Sequence, residues 1–313
     1  MNRCSRRDFL ALSAAGASAV AAGPVLSLPA LAQDQPADMA IARWSGKKDL
    51  TADELKGVAV QLTEKALTGV GGLGRFVKKG DVVWVKPNIG WDRTPELAAN
   101  CNPDLVATVV RLCFDAGAKT VKVGDNPCDL AAKSYPASGI PDAVRPLGAE
   151  VIMLDRSRFR DTSIRGERVK SIPVYPEILE TDLVINIAVA KHHRLATATL
   201  CMKNYMGVIE KRNVFHQAIA PCVADLTRFM KPRISILDAV RVLKANGPKG
   251  GNPADVEVKT IVAAGSDIVA LDAFGAEILG RKPSEIGTIV QGEALGLGKV
   301  DYRSLALKEV AVS

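Results

Sequence analysis

The stretch Asp81-Val82-Val83-Trp84-Val85-Lys86-Pro87-Asn88 decides the predicted fold. Its apolar run is typical of a buried β-strand, and Pro87-Asn88 ends that strand. The next segment, residues 102–117, has apolar residues at helical spacing and begins with Asn102-Pro103-Asp104, which is typical of a helix start. A second strand is predicted at residues 119–123. This order of strand, helix and strand indicates an α/β fold with parallel neighbouring strands.

Further apolar runs between polar turns extend the same alternation. They predict strands at residues 150–154, 182–189, 233–237 and 260–264. The charged segment 156–174 interrupts the series and predicts a β-hairpin excursion at the sheet edge. We therefore expect an α/β fold with a mostly parallel central sheet flanked by helices. It would form a single domain at residues 81–313, preceded by a segment with one helix at residues 33–80.

The first 32 residues have the pattern of a signal peptide for twin-arginine translocation (Tat). Two adjacent arginines, Arg6-Arg7, precede an apolar stretch that runs to Leu28, and Ala30-Leu31-Ala32 matches a small-x-small cleavage site. A membrane anchor is the alternative, but glycines and prolines interrupt the apolar run. We expect cleavage after Ala32, export by the Tat machinery to the periplasm or another extracytoplasmic space, and no stable membrane span after cleavage.

The composition is that of an ordinary globular protein. The 313 residues include 41 Lys and Arg against 34 Asp and Glu, and 48% of them are hydrophobic, which excludes a disordered chain and a small disulfide scaffold. The formal net charge of +7 is mild, and no long run of basic residues accompanies it. Nucleic-acid binding is therefore not expected.

The cysteines do not form a recognisable metal motif. Beyond the leader, no C-x-x-C pair occurs among Cys101, Cys113, Cys128, Cys201 and Cys222. Such spacing predicts neither a zinc ribbon nor a ferredoxin-type iron–sulfur cluster. The binding of a metal or a cluster stays open, as does a disulfide among Cys101, Cys128, Cys201 and Cys222 in an oxidising compartment.

Polar residues follow several of the predicted strands. Ligands of open α/β sheets bind beyond the carboxyl ends of the strands, so residues at these ends are candidate site residues. They are Lys86, Asn88, Asp125, Asn126, Lys191, His192, His193, Asp238 and Asp267. Each Asp and Asn among them also fits a structural role as a helix cap or turn residue. Their common position at one predicted edge favours a site.

The 3 histidines of the sequence, His192, His193 and His216, fall in one stretch. Histidine transfers protons near neutral pH and is a common metal ligand. Because adjacent side chains diverge, we expect at most one of His192 and His193 to point into a site. Surface histidines are one alternative. A metal site of His193, His216 and a carboxylate such as Asp225 is another, although no H-x-x-x-H or H-E-x-x-H motif supports it.

Between these histidines, residues 197–207 are predicted to form a short helix that carries Lys203 and Asn204. Together with Lys86 and Lys191, Lys203 is expected to form a cationic pocket for a carboxylate or a phosphate. One of these lysines would act as a nucleophile if burial and neighbouring positive charge lowered its pKa. Ordinary solvated lysines are the alternative.

Six short blocks of the sequence carry a resemblance to a known family. They are Val85-Lys86-Pro87-Asn88, Gly124-Asp125-Asn126-Pro127, Ile185-Asn186-Ile187 with Lys191-His192-His193, residues 200–207 with Lys203-Asn204, Leu237-Asp238-Ala239 with Asn246-Gly247-Pro248, and residues 267–273 with Asp272. In this order they resemble the domain of unknown function 362 family over residues 83–298. The resemblance implies no activity, because the family has no established one.

Two features differ from many members of that family. Many relatives have Lys-Thr-His where this sequence has Lys191-His192-His193, so the resemblance makes His193 the equivalent histidine. Many relatives also carry an appended ferredoxin-like module with clustered cysteines, and we expect none here. The resemblance therefore implies no iron–sulfur cluster.

The leading hypothesis is an exported enzyme that acts on a small anionic or polar substrate by proton transfer of the isomerase or lyase type. Its catalytic residues would be His193, His216, Lys203 and Lys191. Its substrate-binding residues would be Lys86, Asn88, Asp125, Asn204, Asp238 and Asp272. In this hypothesis the carboxylates orient the histidines and lysines, and the amides donate hydrogen bonds to developing negative charge.

Two other functions stay open. One is a periplasmic redox protein whose metal or iron–sulfur centre is loaded before export, with a histidine and Cys101, Cys201 or Cys222 as ligands. The other is a periplasmic carboxylate-binding protein. It would need the same basic pocket but no titrating histidine.

Overall fold

In the computed structural model, which describes residues 35–313, a central sheet of nine strands separates two layers of helices. The strands in chain order are β1 Met39–Trp44, β2 Val82–Lys86, β3 Thr120–Val123, β4 Glu150–Val151, β5 Arg160–Ser163, β6 Ser171–Val174, β7 Leu183–His193, β8 Thr197–Thr199, β9 Ser235–Leu243, β10 Val256–Gly265 and β11 Leu307–Val312. Their order in the central sheet is β11-β1-β10-β9-β7-β2-β3-β4, and β8 pairs with β7 outside this path.

Most pairings in this sheet are parallel. The parallel pairs are β1 with β11, β2 with β3, β2 with β7, β3 with β4, and β7 with β9. The predicted mostly parallel central sheet is therefore confirmed. Strand β10 is antiparallel to both of its neighbours, β1 and β9, so its carboxyl end lies at the opposite edge of the sheet.

Helices cover both faces of the sheet, as predicted. They are α1 Ala52–Gly69, α2 Pro103–Asp115, α3 Ala131–Ser138, α4 Ile140–Val144, α5 Pro176–Leu179, α6 Cys201–Asn204, α7 Ile219–Met230, α8 Ile268–Ile278 and α9 Gly287–Ala294. Because strand side chains alternate, Val83 and Val85 join the core under α1 and α2, while Trp84 joins the core under α7 and α8. Among the described residues, no helix is both long enough and apolar enough to cross a membrane.

Helix α2 begins where its sequence predicts. The side chain of Asn102 accepts the backbone N–H groups of Asp104 at 2.9 Å and Leu105 at 3.1 Å, and Pro103 occupies the first helical turn. These contacts satisfy amides that a helix start otherwise leaves without partners. The loop between β2 and α2 is thereby fixed next to the carboxyl edge of the sheet.

Strand β1 was not predicted, and it lies inside the sheet between β10 and β11. Residues 36–80 thus belong to the same compact unit as the rest of the domain, Pro36–Ser313, and the predicted boundary at residue 81 does not divide the structure. The strand contains two alanines, Ala40 and Ala42, which have weak β-propensity and hide the pattern. The predicted signal peptide at residues 1–32 lies outside the described residues.

The structure differs from prediction around the histidines. Strand β7 continues to His193, so the two adjacent histidines end a strand instead of lying in a loop. The helix predicted at residues 197–207 begins only at Cys201, because Thr197–Thr199 forms β8 and pairs with the end of β7. Threonine has a β-branched side chain, which favours the strand over the helix.

The charged segment 156–174 forms the predicted hairpin, in which β5 and β6 make a separate antiparallel sheet. Its turn is attached to α7 by the buried carboxylate of Asp225. This carboxylate accepts the backbone N–H groups of Glu167 at 2.8 Å, Arg168 at 2.6 Å and Val169 at 2.9 Å. The hairpin therefore packs onto the helical layer that carries α7.

Candidate functional site

The candidate site lies where three neighbouring parallel strands end. Strands β7, β2 and β3 are adjacent and run in the same direction, so their carboxyl ends meet at one edge. Lys191 lies near the end of β7, Lys86 is the last residue of β2, and Asp125 follows β3. The structure thus brings together these three of the side chains that were selected by their position at strand ends.

Lys86 and Asp125 form a buried ion pair at this edge. Lys86 Nζ lies 2.7 Å from Asp125 Oδ1, and the two side chains are 0% and 2% exposed. Asp125 Oδ2 also accepts the backbone N–H of Ile89 at 2.8 Å. Burial lowers the pKa of Lys86, and the charge of Asp125 opposes this shift. Lys86 therefore neutralises Asp125 and, contrary to the expected role, is not free to hold a substrate.

Position 207 has to be a glycine, because its backbone lies very close to this ion pair. A Cβ atom at this position would lie 1.8 Å from Asp125 Oδ1 and 2.7 Å from Lys86 Nζ. The carbonyl oxygen of Gly207 accepts the backbone N–H of Asn126 at 3.0 Å. Asn126 Nδ2 donates to the carbonyl oxygen of Ile209 at 2.8 Å. The segment after α6 is thereby attached to the loop that follows β3.

Two amide side chains connect Lys191 to the core. Lys191 Nζ donates to Asn88 Oδ1 at 2.8 Å and to the carbonyl oxygen of Ala99. Asn88 Nδ2 donates to Asn204 Oδ1 at 2.9 Å, and Asn204 Nδ2 donates to Asn186 Oδ1 at 2.9 Å. Burial lowers the pKa of Lys191 to about 7. The predicted role of both amides as donors to a substrate is not supported, because they support one another and Lys191.

Among the described residues, the amine of Lys203 has no hydrogen-bond or ion-pair partner. It lies on α6, whose first backbone N–H groups, those of Cys201 and Met202, donate to the carboxylate of Asp272 at 2.6 and 3.1 Å. Asp272 of α8 therefore fixes the helix that carries Lys203. Burial, together with a smaller effect of the charge of Arg212, lowers the pKa of Lys203 to about 8, while Cys128 opposes this shift.

His193 is held as a neutral ring. Its Nδ1 atom accepts the backbone N–H groups of Leu195 at 3.2 Å and Ala196 at 3.1 Å, so its hydrogen lies on Nε2. Burial, followed by the charges of Lys203 and Lys191, lowers the pKa of His193 to about 3. The ring is therefore a hydrogen-bond donor near neutral pH, and the expected acid or base role does not fit this geometry.

The other two histidines take different positions. His192 Nδ1 accepts the backbone N–H of Gly247 at 3.1 Å, which attaches the loop after β9 to the end of β7. His216 is exposed and lines the cavity from the 3-10 turn Arg212–Gln217. Of the adjacent pair, His193 contributes to the cavity lining and His192 does not. This agrees with the expectation that at most one of them points into the site.

These side chains surround a cavity of about 560 Å³, a size that suits a small molecule. The predicted residues in its lining are Asn88, Asp125, Lys191, His193, Lys203, Asn204 and His216. Sequence reasoning missed Trp91, Cys128, Arg156 and Arg212, which also line it. Arg212 Nη1 donates to Cys128 Sγ at 3.0 Å. These four residues follow no strand-end or helical pattern, so the sequence carries no signal for them.

The part of the chain that matches a known protein family contains the whole cavity lining. A family model described as Domain of unknown function (DUF362) matches residues 83–277. The chain belongs to the DUF362 family. Every lining residue, from Asn88 to Pro248, falls within the matched region. A thylakoid-associated protein of Synechocystis sp. is 29% identical over 241 residues, which are 74% of this chain and 73% of that protein.

Three carboxylates predicted for the DUF362 site are structural instead. Asp238 is buried in β9 and accepts the backbone N–H groups of Asn102 at 2.7 Å and Val240 at 3.0 Å. Burial raises the pKa of Asp238 to about 6 and that of Asp272 to about 7. In the described part of the chain, neither these two nor Asp225 lines the cavity. Substrate binding by Asp238 and Asp272 stays a prediction that these positions do not favour. The metal site suggested with Asp225 is not assembled in residues 35–313.

The cysteines of this DUF362 chain do not converge on the cavity. Those in the described residues are free thiols, and Cys101, Cys201 and Cys222 are buried. Cys101 Sγ donates to the carbonyl oxygen of Ile187 at 3.2 Å. Within residues 35–313, no group of three or more His, Cys, Asp and Glu side chains is arranged to hold a metal ion. The ligand set suggested for a redox centre is thus not assembled.

Proposed function

We propose that this DUF362 protein is an enzyme that binds a small anionic substrate in the cavity and transfers a proton on it, in a reaction of the isomerase or lyase type. The observation that carries this proposal is the unpaired amine of Lys203 in the same cavity as the Nε2–H donor of His193. A protein that only binds an anion needs positive charge, but it needs no group that exchanges a proton near neutral pH.

The charge of the cavity lining favours an anionic substrate. Its cationic side chains are Arg156, Lys191, Lys203 and Arg212, and its carboxylates are Asp125 and Glu210. Asp125 is already neutralised by Lys86, so positive charge is in excess. A carboxylate or phosphate group would balance this excess through charge-assisted hydrogen bonds.

Lys203 is the acid–base group in this proposal. Its pKa of about 8 allows it to accept and donate a proton near neutral pH. His193 would donate a hydrogen bond from Nε2 to the substrate oxygen on which negative charge develops. Arg212 would hold the anionic group of the substrate. Proton transfer is thereby assigned to a lysine, because the Nδ1 atom of His193 already accepts two backbone amides.

Hydrogen exchange in D₂O tests this proposal across a range of candidate substrates. A panel of small oxo acids, hydroxy acids and sugar phosphates is incubated with the protein, and loss of C–H signals is followed by proton NMR. Calorimetry measures binding in parallel. We expect at least one member to bind and exchange, and Lys203→Met to slow the exchange by at least about 100-fold. Lys211→Met alters an exposed lysine outside the lining and should leave the rate unchanged.

Three outcomes would contradict this proposal or the role of Lys203 in it. Anion binding without exchange would indicate a carboxylate-binding protein. Failure of every anion to bind, or equal exchange rates for Lys203→Met and the unchanged protein, would remove Lys203 as the acid–base group. Circular dichroism is measured for each variant to verify that it is folded.

We also propose that the chain is exported by the Tat route to an extracytoplasmic compartment, on the basis of the twin-arginine pattern in residues 1–32. Replacing both arginines, Arg6→Lys with Arg7→Lys, should leave the protein in the cytoplasm, whereas the unchanged chain should reach the periplasm. Cell fractionation with immunodetection measures the distribution. Identical distributions of the two proteins would argue against this route.

A further inference from the structure

Of the three lysines predicted for the site, Lys203 has the amine that is free to react. Lys86 Nζ lies 2.7 Å from Asp125 Oδ1, and Lys191 Nζ donates to Asn88 Oδ1 at 2.8 Å. Lys203 Nζ has no hydrogen-bond or ion-pair partner among residues 35–313, although its side chain is only partly exposed and lines the cavity. Its electron pair is therefore available once the amine has lost its proton.

The backbone that carries Lys203 is fixed on both sides. Asp272 accepts the backbone N–H groups at the start of α6. At its end, Asn204 Nδ2 donates to Asn186 Oδ1 and to the carbonyl oxygen of Ile187, each at 2.9 Å. Because this backbone is fixed, the side chain of Lys203 keeps a constant position relative to a bound molecule. This favours attack by its amine on one defined atom of that molecule.

Burial and the neighbouring cation Arg212 lower the pKa of Lys203 to about 8, while Cys128 opposes this shift. About one tenth of such an amine is uncharged at pH 7, compared with less than about one part in a thousand for an ordinary lysine. Uncharged amine is the nucleophilic form. Positive charge for anion binding is already supplied by the guanidinium groups of Arg156 and Arg212.

We infer that Lys203 is a nucleophile that forms an imine with the carbonyl carbon of an oxo acid bound in the cavity. This inference rests on the proposed function and deepens it by naming the substrate class, a small carboxylic acid that also carries a ketone or an aldehyde. Arg212 and Arg156 would hold the carboxylate, and His193 would donate from Nε2 to the carbonyl oxygen. A protonated imine withdraws electrons from the adjacent carbon, so the C–H proton there passes more easily to solvent water. In this form of the reaction Lys203 activates the carbon and does not itself accept the proton.

The step balances with water as its only other product. The uncharged amine attacks the carbonyl carbon, the C–N bond forms, the π bond to oxygen breaks, and one hydrogen moves from nitrogen to oxygen. The second hydrogen of the amine then leaves with that oxygen as water, and the C=N bond forms. A proton from solvent converts the imine to its cationic form. Addition of water reverses these steps and restores Lys203, so no oxidant or reductant is needed.

Borohydride trapping locates such an imine. The protein is incubated with pyruvate or glyoxylate, treated with sodium borohydride, and mapped by peptide mass spectrometry. We expect one adduct, on Lys203, with each oxo acid. Lys203→Arg keeps the positive charge but cannot form an imine, so its adduct should be absent while the affinity for pyruvate stays within about threefold. The control Lys211→Arg should retain the adduct on Lys203.

A second measurement tests the reactivity of the Lys203 amine and does not depend on the natural substrate. Trace formaldehyde with cyanoborohydride labels uncharged lysines, and mass spectrometry compares individual positions. At pH 7 we expect Lys203 to react at least about tenfold faster than Lys211. The rate at Lys203 should rise with pH and level off above its pKa of about 8.

The outcomes separate this inference from the proposed function. Equal labelling of Lys203 and Lys211 would overturn the inference, as would oxo-acid adducts spread over surface lysines. Fast formaldehyde labelling without any oxo-acid adduct would overturn the substrate class. If anions bind and hydrogen exchange occurs while Lys203 stays slow, the proposed function stands without the imine. If no anion binds or exchanges its C–H hydrogens while Lys203 reacts fast, the reactivity of the amine is confirmed and the proposed function is contradicted.

Discussion

Lys86→Met is expected to lower the free energy of unfolding by about 3–5 kcal/mol. Methionine fills a similar volume, so the loss arises from Asp125, which is 2% exposed and would lose its counter-charge at 2.7 Å. The remaining hydrogen bond to Asp125, from the backbone N–H of Ile89, does not replace a counter-charge. Urea unfolding followed by circular dichroism measures the change.

A double variant shows that the missing charge is the cause. Lys86→Met with Asp125→Asn should recover most of the loss, because an asparagine oxygen can still accept the N–H of Ile89 and no buried charge remains. Lys122→Met is the matched control. Its ion pair with Glu177 is partly exposed, so we expect a loss below about 1 kcal/mol. Equal losses for Lys86→Met and Lys122→Met, or no recovery in the double variant, would refute this account.

Gly207→Ala is expected to lower the free energy of unfolding by about 2–4 kcal/mol. Its Cβ atom would lie 1.8 Å from Asp125 Oδ1, so the carboxylate has to move away from Lys86. Asp125 cannot move without also weakening its hydrogen bond with Ile89. The same urea titration detects the loss, and reduced anion binding should accompany it because Gly207 lines the cavity.

Gly57→Ala provides the matched control for this substitution. Gly57 is an exposed residue of α1 with no atom within 4 Å of the position a Cβ would take. An alanine there should be neutral or stabilise the protein by up to about 1 kcal/mol. In an Asp125→Ala background, Gly207→Ala should cost less than in the unchanged protein, since the colliding carboxylate is absent. Equal stability of the Gly207→Ala and Gly57→Ala variants would refute the steric argument.

The strand-end rule selected three residues that lie together at adjacent parallel strands, but it also selected Asp238 and Asp267, which lie elsewhere. Asp238 lies inside β9, because that strand continues to Leu243. Lys86, Asp125 and Lys191 were predictable because they follow or end adjacent strands that run in the same direction. Asp267 satisfied the same rule but follows β10, which is antiparallel. It lies at the opposite edge, where its Oδ1 atom accepts the backbone N–H of Ala270 at 2.9 Å and caps α8. Apolar runs predict strands, but they do not encode strand direction.

Other parts of the site depend on tertiary contacts that no local pattern encodes. Arg212 reaches the cavity from a 3-10 turn and is oriented by the carbonyl oxygen of Pro127 at 2.7 Å. The hydrogen position on His193 is set by two backbone amides of the turn after β7. Residue type alone therefore indicated proton transfer by a histidine, whereas the surrounding geometry favours Lys203.

The position of β1 has a consequence for the order of folding. Both partners of β1 are strands from the end of the chain, β10 and β11, so β1 leaves the ribosome long before either partner has been synthesised. Pairings so distant in sequence form slowly and late. A chain that stops before Leu307 would leave one side of β1 as an open edge, which invites pairing with another chain. Synthesis of β11 therefore protects the nascent protein against aggregation at β1.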